Sequence, residues 1–77
     1  MVTVHRETGL RIVIYTQDHQ PAHVHVYGDG DCKIDLCGDT PKLLRVNGMS
    51  KTDVRRALRI VGEQREVLLE RWNDIHG

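Results

Sequence analysis

The sequence predicts an α+β fold, a small antiparallel β-sheet (three to five strands) packed against one long C-terminal helix. Three observations predict it. Between residues 10 and 36 apolar and polar residues alternate, the two-residue period of half-buried strands. Turn-forming clusters punctuate that region at Gly28-Asp29-Gly30, at residues 38–41 and at Asn47-Gly48. Beyond Ser50 the apolar residues change to helical spacing. A chain of 77 residues is enough for a single domain spanning positions 1–77.

Val2-Thr3-Val4 reads as a short first strand. Residues 10–15 form a better one, with Leu10, Ile12 and Ile14 sharing a face. The polar stretch ending at Pro21 is a loop. Along residues 22–27, Ala22, Val24 and Val26 lie on one face and His23, His25 and Tyr27 on the other. Cys32, Ile34 and Leu36 make the apolar face of the next strand, with Lys33 and Asp35 turned away.

The register between these two strands follows from the requirement that their apolar faces coincide, because a one-residue slip moves every side chain to the other face. A three-residue loop at Gly28-Asp29-Gly30, with Gly30 at positive φ, satisfies it. Val26 then faces Cys32, Val24 faces Ile34 and Ala22 faces Leu36. On the other face Tyr27 meets Asp31, His25 meets Lys33 and His23 meets Asp35. A final strand is expected at residues 43–46. Ser50 is placed to cap one helix over about residues 51–74, with Asp53 in the position of a capping-box acid. Val54, Ala57, Leu58, Val61, Leu68, Trp72 and Ile75 fall near its apolar face, and Gly62 is a weak point inside it.

Composition narrows the function classes. Lys plus Arg balances Asp plus Glu at 11 each, which argues against a protein that binds nucleic acid by bulk positive charge, though not against a local basic patch. The chain has no Phe and one Trp, so Val, Leu and Ile must build the core. A domain this small buries only roughly 60% of its unfolded surface, so a homo-oligomeric contact or a partner protein would help it. Two cysteines, no membrane-length apolar run and no secretory h-region lead us to expect a cytoplasmic protein with free thiols.

The residues with chemical potential cluster around five histidines. His23 and His25 project from one strand face, and His19 sits in the loop that feeds the strand. Three imidazoles within reach of one another are a candidate site for zinc. In the derived register His23 opposes Asp35, which would orient it as a general base, while Lys33 would hold His25 neutral. Such a pair suits metal-free cleavage of RNA, with Lys33 or Arg11 stabilising a phosphate and Tyr27 and Tyr15 supplying a stacking surface. The same residues also describe an ordinary solvated sheet face, and Lys51, Arg55, Arg56 and Arg59 an ordinary solvated helix face. Cys32 reads as a small core residue and Cys37 as a side chain on the opposite face.

The run Asp18-His19-Gln20-Pro21-Ala22-His23-Val24-His25-Val26, followed by Lys33-Ile34-Asp35-Leu36 and by Arg56-Ala57-Leu58 through Glu66, Leu69 and Trp72, resembles a signature over almost the whole chain. It is that of a family of small prokaryotic proteins classed as domain of unknown function 4160. Relative to the family, Ala22 stands where a second proline is frequent and Val24 where an aromatic is common. The resemblance marks His19, His23 and His25 as signature positions. It implies a toxin–antitoxin-type role with a small partner protein encoded nearby. On this reading the chain acts on RNA, or on a protein partner, through the histidine face. The alternatives are a non-catalytic partner-binding module, such as an antitoxin or adaptor, and a metal-binding protein.

Overall fold

A computed structural model describes residues 2–77. Five strands run in the order β1 (Val2–Glu7), β2 (Leu10–Ile14), β3 (His23–Gly28), β4 (Gly30–Asp35) and β5 (Lys42–Asn47), and each pairs antiparallel with the next to form a meander. Two helices follow, α1 (Lys51–Glu63) and α2 (Arg65–His76).

The derived hairpin register is the observed one. His23 pairs with Asp35, Val24 with Ile34, His25 with Lys33, Val26 with Cys32 and Tyr27 with Asp31. The pairing runs on to Gly28 and Gly30, leaving Asp29 at the tip. Gly30 has φ +110°, and a Cβ there would lie 2.4 Å from the carbonyl carbon of Gly48. The turn at Gly30 and the turn that starts α1 therefore touch backbone to backbone, which only glycine permits.

One sheet face carries Leu10, Ile12 and Ile14 from β2, Val24 and Val26 from β3, and Cys32 and Ile34 from β4, all essentially buried. The helices bury Ala57, Ile60, Val61, Leu68 and Trp72 in the same core. Ile60 joins the helix residues expected there, and of those Val54, Leu58 and Ile75 are only partly buried against the core. Aliphatic side chains and the lone tryptophan thus form the core, as the composition requires. At the start of α1, Ser50 Oγ accepts a hydrogen bond from the Asp53 amide at 3.1 Å.

The single long helix is corrected to two. The amide of Gln64 donates to the Ile60 carbonyl at 2.9 Å to close α1, and its own carbonyl accepts from Leu68 at 2.8 Å to open α2. Gln64 itself sits at φ −101° and ψ 9°, outside helical geometry. An unbroken helix over residues 51–76 would be about 39 Å long at 1.5 Å per residue. The longest dimension of the molecule is 33 Å. Breaking the helix lets Leu68 and Trp72 turn back onto the core, and the break falls two residues after Gly62, where helix propensity is lowest.

No described helix is long and apolar enough to cross a membrane.

Candidate metal centre

The second sheet face is not a solvated one. His23 and His25 are 6% and 9% exposed, as buried as core residues, and Val13 beside His25 is fully buried. The covering comes from outside the strand pair. After β2 the chain turns, the Asp18 amide bonding the Tyr15 carbonyl at 3.2 Å, and this turn lays Asp18 over the histidines. From the other side α2 brings the Trp72 ring within 5.1 Å of the His23 ring, and the two ring nitrogens of His76 lie 3.0 Å from the carbonyls of Trp72 and Tyr15.

Asp18 Oδ2 lies 3.0 Å from His23 Nε2 and 3.5 Å from His25 Nε2. Neither contact has hydrogen-bond geometry: Asp18 Oδ2, His23 Nε2 and both nitrogens of His25 are buried without a hydrogen-bond partner. The other nitrogen of His23, Nδ1, lies 2.9 Å from the Pro21 carbonyl. A carbonyl only accepts, so Nδ1 carries the proton. In the neutral ring Nε2 is then a bare lone pair aimed at a carboxylate oxygen. Two acceptors at that distance repel each other unless a cation lies between them.

One ligand atom from each of Asp18, His23 and His25 falls within 4.8 Å of the other two. Tetrahedral zinc with bonds of about 2.0–2.1 Å holds its ligand atoms about 3.3 Å apart; the two separations to Asp18 straddle that value, while the two histidine nitrogens lie within 4.8 Å of each other and would close up on an ion. The Pro21 carbonyl on His23 Nδ1 is the outer contact that commonly orients a metal-bound imidazole. Burial lowers the pKa of His25, with His23 and Lys33 pushing the same way against the opposing pull of Asp18. His25 is therefore held neutral, the form that binds a metal. The expectation that Lys33 helps to neutralise His25 agrees in direction, but desolvation is the larger cause.

Two expected contacts are corrected. Asp35 sits opposite His23 in the register yet does not orient it. Its Oδ1 accepts the Cys37 amide at 2.8 Å in a local turn that ends the strand. The carboxylate on His23 is Asp18. His19 is exposed and lies outside the cluster, so the candidate ligand trio is two histidines and an aspartate rather than three histidines. Asp18 stands in the same run as the histidines, but only the fold of the turn brings it back over them.

Around this trio the remaining residues form a polar rim. The hydroxyls of Tyr15 and Tyr27 are hydrogen-bonded to each other, which pushes Tyr27 up to about 12. The Tyr27 ring stacks along His25 at 6.5 Å, and the Arg11 guanidinium lies 5.5 Å from its centroid. Lys33 flanks His25 across the strand pair. Two like-charged pairs stand directly across the sheet here, Arg6 with Arg11 and Lys33 with Arg45. Cys32 is buried and Cys37 exposed, and both thiols are free.

No curated protein and no solved structure matched the chain. The family model described as "Domain of unknown function (DUF4160)" matches residues 9–73, a span that contains the whole trio. The chain belongs to that family.

Proposed function

We propose that this chain is a metal-binding protein in which Asp18, His23 and His25 hold a divalent ion of the zinc class and leave a coordination position open to water. The observation that carries the reading is His23 Nε2 facing Asp18 Oδ2 at 3.0 Å, both buried and without a hydrogen-bond partner. Each buried polar atom left unpaired costs about 1–3 kcal/mol, and one bound cation would satisfy three of them together. Two imidazoles and one carboxylate suit zinc or another borderline metal. A zinc ion held by these three residues would supply a water acidified to near neutrality, which is a nucleophile.

RNA is the substrate we propose for that nucleophile, in a toxin–antitoxin-type setting with a small partner protein and in the cytoplasm. Like charges directly opposite each other destabilise a sheet. The Lys33–Arg45 pair beside His25 and the Arg6–Arg11 pair beside Tyr27 are most simply accounted for by an anionic ligand, and a phosphodiester is one. His23 and His25 acting as base and acid without a metal have less support, since Asp35 bonds elsewhere.

The test is metal analysis of untagged protein equilibrated with zinc and then dialysed. One zinc per chain, lost in His25→Ala and in His23→Ala, is the expected result. Zinc-loaded protein should then cleave a labelled oligoribonucleotide in a His23-dependent manner. No retained metal would overturn the proposal; retained metal without cleavage would limit it to binding.

A further inference from the structure

Away from the histidines, a groove of about 350 Å³ opens between β5 and the start of α1. Leu43, Val46, Met49 and Val54 line it, with Lys51 and Arg55 at its edge. β5 is an edge strand, and its Leu44 and Val46 are 47% and 42% exposed. Lys51 and Arg55 are four residues apart on one helix, exposed, and in no ion pair among the described residues. Lys42 and Arg45 of β5 are likewise exposed and unpaired there. Same-sign neighbours at that helical spacing are destabilising.

The complementary surface lies on the same chain. Along α2, Glu66, Glu70 and Asp74 recur every fourth residue, all exposed and in no ion pair among the described residues. Val67, 52% exposed, borders this row, with Arg71 one turn further along on its far side. Leu44, Val46 and Val67 are the large apolar side chains most open to solvent among the described residues. The chain thus carries a basic, apolar groove and, on α2, a row of three acids bordered by an exposed valine, although Arg65 and Arg71 lie on the same helix.

We propose that the groove is occupied by α2 of a second copy of this chain. Val67 enters between Leu43, Val46 and Val54, while Glu66, Glu70 and Asp74 meet Lys51, Arg55 and the cations of β5. Made reciprocally, the contact closes as a two-fold dimer, in which each copy gives its helix and receives its partner's. Nothing in it depends on the metal centre.

The experiment is analytical ultracentrifugation of the full untagged chain over a concentration series, at low and high salt. A reversible dimer that weakens as salt rises is expected. Reversing the groove charges (Lys51→Glu with Arg55→Glu), or those of the helix (Glu66→Lys with Glu70→Lys), should weaken dimerisation about tenfold or more. Mixing the two variants should restore a heterodimer. Circular dichroism and a cooperative thermal melt would show each variant folded. A monomer at every concentration, a dimer indifferent to both charge reversals, or a failure of the mixed variants to pair would each overturn the proposal.

Discussion

Replacing Asp18 by Asn separates the metal centre from an ordinary buried ion pair. In the metal-free protein the Asp18 oxygen faces His23 Nε2 at 3.0 Å, and with a neutral ring protonated at Nδ1 this sets acceptor against acceptor. An amide is nearly the same shape and can donate to that nitrogen. The contact then becomes a hydrogen bond worth about 1 kcal/mol, and a half-buried carboxylate is removed. In a domain of this size about 1 kcal/mol moves Tm by roughly 4–8 °C, so metal-free Asp18→Asn should melt several degrees higher than the parent. Zinc should do the reverse. At a concentration about a hundredfold above Kd it stabilises the parent by about 2.7 kcal/mol, and the variant, short of one anionic ligand, should gain far less. Thermal melts with chelator and with zinc, followed by circular dichroism, measure both effects. Were His23 a permanently protonated partner of Asp18, the substitution would strand a buried charge and cost about 3–5 kcal/mol. A large loss of metal-free stability, or an undiminished zinc response, would refute the reasoning.

Three further outcomes follow from the same geometry. Burial raises the Cys32 thiol from 9.0 to about 11, with Asp31 adding to the effect. Above pH 9 the unfolded thiol ionises while the folded one does not, so the unfolded state binds fewer protons and stability falls as pH rises through that window. Relative to Cys32→Ala, the parent should lose about 2–3 kcal/mol between pH 9 and 11 in urea titrations, while Cys37 alone labels rapidly in the native protein. A Cβ at Gly62 would meet only Pro41 Cγ at 3.6 Å, ordinary contact, so Gly62→Ala should stabilise the protein by about 0.5–1 kcal/mol in the same titrations. Gly30→Ala should instead cost several kcal/mol or prevent folding, because its Cβ would fall 2.4 Å from backbone at a positive φ; native-like thermal stability would contradict the backbone contact described here.

Much of the sheet was legible from pattern. Alternation in residues 22–36 and the glycines of the turn determine which residues face one another, since only one register keeps both apolar faces together. The Ser50 cap was equally local, a hydroxyl three residues before the amide it accepts from. The helix break was less legible. Gly62 marked a weak point, but the break falls at Gln64, where the dimensions of the core require the chain to turn.

The candidate site divides along the same line. By itself the sequence determined that His23 and His25 share a face and that Asp35 and Lys33 stand across from them, because strand geometry is set by nearest neighbours. Which carboxylate reaches the imidazoles was decided only in three dimensions. Asp35 is captured by the amide of Cys37, two residues away, while the turn after β2 swings Asp18 over the histidines. The burial of that face was likewise a tertiary outcome, supplied by α2 from the far end of the chain. A period-two pattern records which side a residue points to, and it carries no information about what later folds over that side.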